Sequence, residues 1–134
     1  MTSRFHIPLA REQQAVAVEL QGTLVDLLDL TLIGKHLHWN VEGRHFRPCT
    51  TSSTNKSTLW RKQSDDVAER AATIGASPDG QAETIAGATQ LEPLPSGHLS
   101  AQQVLKAISD RLAAATTRTR ERIDHVAADP ITSD

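Results

Sequence analysis

From Leu9 to Trp39 the sequence contains no proline, and Val16, Leu20, Leu24, Leu27, Leu28, Leu32 and Ile33 recur at steps of three and four. That spacing lays one apolar stripe along a helix of 3.6 residues per turn, and the run is far too long for a strand. Such a helix would be about 45 Å long and cannot bury its stripe alone, so the rest of the chain must supply helices to cover it. Gly34 lies inside the stretch as a weak point, since a mid-helix glycine costs about 1 kcal/mol relative to alanine.

The remainder has two further helices of that kind. Asn40 to Pro48 holds a glycine, two arginines and a proline and is expected to be a connecting loop. A second helix then runs to Gly75, which stands where a left-handed C-terminal cap belongs. Its later half, Leu59 to Ile74, has helical patterning. Its first part, Cys49 to Thr58, reads CTTSSTNKST and has no apolar stripe. Ser and Thr side chains compete with helix by bonding the nearby backbone, so this half-helix is poor as written. Ser77-Pro78-Asp79-Gly80 is a turn, and Thr84 to Pro95 has room for one short helix. Ser100 and Gln103 have capping-box spacing, and Val104, Ile108, Leu112, Ala115, Ile123 and Val126 mark another apolar stripe up to Asp129-Pro130. An antiparallel bundle normally closes with a fourth helix over the groove left by three. The fold expected is therefore all-α, an antiparallel bundle that stops before or within its fourth helix, in a single domain spanning 1–134.

Composition narrows the function classes. A net charge of -2, with lysine and arginine scattered along the 134 residues, gives no general attraction to polyanions. Met1 to Arg11 offers only Arg4 and Arg11 as a basic tail. The single cysteine, Cys49, rules out an internal disulfide. No segment approaches the roughly 18 apolar residues of a membrane span, and Met1 to Arg11 lacks a signal-type apolar stretch, so a cytoplasmic protein without membrane contact is expected. There is no Walker loop, GxGxxG, CxxC pair or nucleophile elbow.

Asp65 and Glu69 stand four apart on a helix, so their carboxylates face one way and could hold a cation between them. The competing reading is a solvated acidic face beside Arg61 and Arg70. His38 ends the first helix next to Trp39, where a lone histidine is more often a structural hydrogen-bonder than a ligand. His36, His45, His98 and His125 have no partners at ligand spacing and are read as surface residues. By spacing alone the case for a metal is weak.

A longer pattern adds to it. Lys35-His36-Leu37-His38-Trp39-Asn40-Val41-Glu42-Gly43-Arg44-His45-Phe46, then Asp65-Asp66-Val67-Ala68-Glu69-Arg70 and Ile74-Gly75, resembles the signature of the Dps family of mini-ferritins. The resemblance runs from the first helix to Pro130 and is interrupted only at 49–59. It implies a ferritin-like four-helix subunit, a hollow homo-dodecamer, and a di-iron ferroxidase site shared across the two-fold interface between subunits. His38, Asp65 and Glu69 fall on iron ligands, and Trp39 packs beside them. It further implies oxidation of Fe(II) by peroxide or oxygen, storage of the ferric product, and protection of DNA by removal of the Fenton reagents. Some members also bind DNA directly and associate with the nucleoid. Where the family places a second histidine and an aspartate, this chain has Thr50 and Thr54. The rival reading is a degenerate or truncated, non-enzymatic cage or DNA-compaction protein.

The odd segment and the missing ligands share one explanation. Reading residues 49–58 one base back forces Leu, Met or Val at 49 and His or Tyr at 50, and permits Asp at 54 and apolar residues at 53 and 57. A compensated frame displacement over ten codons is one account and a real substitution of the segment is the other. In-frame threonine codons at 50 and 54 in a resequenced gene would rule out the first.

Overall fold

The computed structural model describes the backbone of residues 9–42 and 47–128, with side chains at 9–42 and 58–128. Among the described residues it contains helices and no strand: α1 Arg11–Asn40, α2 Arg47–Thr73, α3 Ala82–Ala88 and α4 Ala101–Ala128. The long first helix is unbroken at Gly34. Its start is tied by the Ala10 N–H, which donates to Gln13 Oε1 at 3.0 Å. The short helix expected within 84–95 is α3, two residues earlier, and the predicted third long helix is α4.

The second helix departs from expectation at its start. It begins at Arg47 and runs through the Ser/Thr segment without a break. Pro48 therefore lies in its first turn, where its missing N–H costs nothing because that donor would be unpaired anyway. Further along, Ser64 Oγ donates to the Trp60 carbonyl at 2.8 Å and Thr73 Oγ1 to the Glu69 carbonyl at 2.8 Å. In this helix, hydroxyls that bond back one turn are absorbed by the backbone rather than breaking it. The end is as the sequence indicates. Gly75 has φ +94°, the Ala76 N–H donates to Ala71 O and the Gly75 N–H to Ala72 O. These are the paired bonds of a Schellman cap.

Leu9 lies against Gly75, so the start of α1 meets the end of α2 and the two helices are antiparallel. α4 also packs on α1 and runs antiparallel to it, because Glu19 pairs with His125 while Asp26 pairs with Arg118. The apolar core gathers Leu30, Ile33 and Leu37 of α1 with Trp60, Leu91, Leu99 and Ala115. Burying a side chain of that kind contributes about 1.5–3 kcal/mol each. The Ser100 capping box forms as predicted: the Ser100 N–H donates to Gln103 Oε1 at 2.8 Å, and the Gln103 N–H to Ser100 Oγ at 3.2 Å.

Two polar ties position the connections. Gln21 clamps the turn after α2, its Nε2 donating to Asp79 O at 2.8 Å and its Oε1 accepting from the Asp79 N–H at 3.0 Å. Arg111 is buried and donates to the carbonyls of Glu92, Ala107 and Pro93, each at 2.9 Å. The proline-rich 92–95 stretch has no helix of its own to satisfy those carbonyls, and the guanidinium fork supplies the donors. Between α2 and α4 lies a cavity of about 430 Å³ lined by Leu27, Leu30, Trp60, Val67 and Leu112, which no other element covers among the described residues.

Candidate metal centre

His38 lies in the last turn of α1, and the segment after it is pinned from outside the helix. The Glu42 N–H donates to Leu99 O at 2.8 Å, and the Leu99 N–H donates to Asn40 O at 2.9 Å. These bonds make a short parallel bridge between Val41 and Leu99, so the two ends that flank the core are held together. Within that pinned turn His38 is exposed and Trp39 is 71 % exposed. Among the described residues no element covers this tryptophan.

Asp65 and Glu69 project from the second half of α2, one turn apart and both exposed. Neither carboxylate is in an ion pair among the described residues; the neighbouring Lys62 reaches Asp66 instead, at 4.0 Å. The acidic pair is thus on one face, as the spacing requires, with no counter-charge paired to it among the described residues. Thr50 and Thr54 fall where backbone alone is described.

The structure does not bring the three predicted ligands together in one chain. With Leu9 against Gly75, Asp65 stands level with the first third of α1. His38 is then further along the antiparallel pair by about 28 Å at the 1.5 Å rise of a helix. Consistent with this, no group of three His, Cys, Asp or Glu that could hold a metal occurs among the described residues. An imidazole and two carboxylates suit iron by type, but one chain supplies them at two separate places.

The other histidines differ in part from expectation. His36 is half-buried and lines a cavity of about 560 Å³ with Asp29 and Glu92. Thr89 Oγ1 donates to Asp29 at the edge of the same cavity. His98 is exposed, and His125 Nδ1 pairs with Glu19 at 3.1 Å. His45 lies outside the described residues.

A charged seam between α1 and α4 was not foreseen from the sequence. Asp26 is buried and takes Arg122 Nη1 at 2.8 Å and Arg118 Nη2 at 3.3 Å, while Arg122 also approaches Glu19 at 3.9 Å. Gly22 leaves the space for it, since a Cβ there would meet the Arg122 guanidinium at 3.0 Å. The available signal was an aspartate within an apolar run, Leu24-Val25-Asp26-Leu27, together with arginines four apart at 118 and 122.

Comparison with known proteins gives a consistent result. Residues 18–134 match the ferritin-like domain family. The chain is 36 % identical over 115 residues to DNA protection during starvation protein 2 of Deinococcus radiodurans, covering 85 % of this chain and 48 % of that protein. A Dps structure from the same organism superposes with a TM-score of 0.85 at 33 % identity, covering 92 % of this chain and 76 % of the other. Dps of Mycobacterium smegmatis does so with a TM-score of 0.83 at 34 % identity, covering 94 % and 77 %. The chain thus spans about half the length of the first curated relative and about three quarters of these solved structures.

Proposed function

The chain belongs to the Dps family of ferritin-like proteins, and on that premise we propose that it is a cage-forming subunit that oxidises Fe(II) with peroxide or oxygen and sequesters the ferric product. In this reading residues 1–134 act as one ferritin-like domain in a cytoplasmic homo-dodecamer. Removing iron and peroxide together denies DNA the reagents that would damage it. The observation that carries the proposal is the separation of the ligands. His38 near one end of the α1/α2 pair, and Asp65 with Glu69 near the other, are exposed and too far apart to share a cation within a chain. An antiparallel encounter with a second chain brings the His38 end of each copy to the acidic end of the other.

The chemistry follows from the donors. Two Fe(II) substrate ions give up one electron each, and the O–O bond of one peroxide is cleaved to two hydroxides. Carboxylates favour the Fe(III) that forms, and the imidazole suits the Fe(II) that enters. Exposure of all three side chains leaves open positions for the oxidant until the second chain covers them.

Thr50 and Thr54 limit the rate. Losing even an outer-sphere partner of a metal ligand typically lowers affinity about 10 to 100-fold, so two direct ligands should cost at least that. This observation also favours the second reading, a non-enzymatic cage. The test is Fe(II) oxidation with added peroxide, followed by absorbance, for the chain and for Thr50→His/Thr54→Asp. The repaired variant is expected to oxidise iron well above the buffer rate and the chain as written to lag it by at least about tenfold. Equal activity at the buffer rate in both would overturn the ferroxidase reading and leave the cage.

A further inference from the structure

We propose that Asn40 is a positioning residue for His38: its side chain and its backbone carbonyl together fix the last turn of α1 to the segment that starts α4, so that the imidazole is presented in one place. The proposal rests on the reading of His38 as an iron ligand. His38 stands two residues before the end of a 30-residue helix, and a helix end leaves its last four carbonyls without partners in the helix. Such ends fray, whereas a metal site needs its ligands held to about 0.5 Å. An exposed side chain on a frayed turn would not meet that demand.

The turn around His38 is closed on both sides. Asn40 Nδ2 donates back to the His36 carbonyl at 2.8 Å, which makes a ring of residues 36–40 with His38 at its middle. The Val41 N–H donates to Leu37 O at 3.1 Å, and the Asn40 carbonyl accepts from the Leu99 N–H at 2.9 Å. Leu37 and Leu99 are 2 % and 4 % exposed and belong to one apolar cluster. The backbone of His38 therefore lies between a buried residue on one side and a latched one on the other, while its exposed ring is left free to reach a cation.

The latch is rooted in α4 rather than in a loose connection. Leu99 directly precedes Ser100, whose reciprocal bonds with Gln103 cap that helix. Val104, in the first turn beyond the cap, packs against the cluster that holds Leu99. This is the arrangement of a hydrophobic staple, in which the residue before the cap meets the fourth residue of the helix. The His38 end is thus set by the register of α4 on α1 and not by α1 alone. Asn40 bonds in both directions, back along α1 and across to Leu99.

The test compares the full chain with Asn40→Ala, Asn40→Ser and Gln21→Ala. A serine at 40 can still donate to the carbonyl four residues back, as Ser64 does to Trp60 O. Gln21→Ala instead removes two hydrogen bonds in the first half of α1. Two quantities are read: amide hydrogen exchange over residues 36–41 without metal, and the dissociation constant for Co(II), used as a probe for Fe(II), by equilibrium dialysis. Asn40→Ala is expected to speed exchange about fivefold and to weaken Co(II) binding about tenfold. Asn40→Ser should return both quantities to the parent's, and Gln21→Ala should leave both there. Unchanged exchange in Asn40→Ala overturns the proposal, as does a Co(II) loss that Gln21→Ala reproduces or that Asn40→Ser does not relieve. His38→Ala separates this failure from that of the ligand reading. If it leaves Co(II) binding at the parent's level, His38 is no ligand and both fall; if it abolishes binding while Asn40→Ala does not weaken it, the positioning role alone falls.

Discussion

Arg111 shows how much one side chain can hold. Its guanidinium serves three carbonyls, and two of them, Glu92 and Pro93, lie in a proline-containing segment outside any helix. Arg111→Ala leaves them short of donors in a largely buried setting and is expected to destabilise the fold by about 2 kcal/mol, measured by urea denaturation. Arg111→Lys should recover little, because a point charge cannot make the fork. Asp79 is the acid whose environment matters for pH. The Gln81 N–H and the Thr84 hydroxyl both donate to its carboxylate and hold its pKa below the usual 3.8. Its folded pKa is depressed, so its contribution is present above the unfolded value and lost as pH falls through the folded one. Asp79→Asn should therefore lower Tm near neutral pH, and the gap to the parent should close below about pH 4. None of this was readable beyond the turn itself. The sequence marks Ser77–Gly80 as a turn by composition, but which side chain clamps it, Gln21, depends on a contact 58 positions away in the chain.

At the scale of elements, patterns within a few residues were the legible ones. Gly75 as a left-handed cap and Ser100 with Gln103 as a capping box both formed, because each motif is closed by neighbours in sequence. The Ser/Thr segment was misjudged in the other direction: local propensity argued for a weak start to α2, and the helix continues through it. Propensities of a few tenths of a kcal/mol per residue are a weak prior that tertiary context overrides. The α1–α4 seam left only the signs of an aspartate in an apolar run and two arginines four apart, and their pairing was not legible because its members come from opposite ends of the chain. Removing one partner of such a cluster exposes the others' charges to a site with little water. Asp26→Ala should cost about 3 kcal/mol in chemical denaturation, and replacing Asp26, Arg118 and Arg122 together by apolar residues should cost less than the single change.

For the whole molecule, the sequence indicated the bundle class and the family, and it named His38, Asp65 and Glu69 as residue types. It could not show that one chain keeps them about 28 Å apart or more, since that follows from the antiparallel register of α1 on α2.

That separation has a genetic consequence. A chain with His38→Ala and a chain with Glu69→Ala would each be inactive alone if every centre draws on two chains. Mixed before assembly, they pair in a way that leaves one of the two shared centres with all its native residues. In the Thr50→His/Thr54→Asp background, co-expressing the two defective alleles should therefore return iron oxidation that neither allele has. A centre built within one chain would show no such complementation at any mixing ratio.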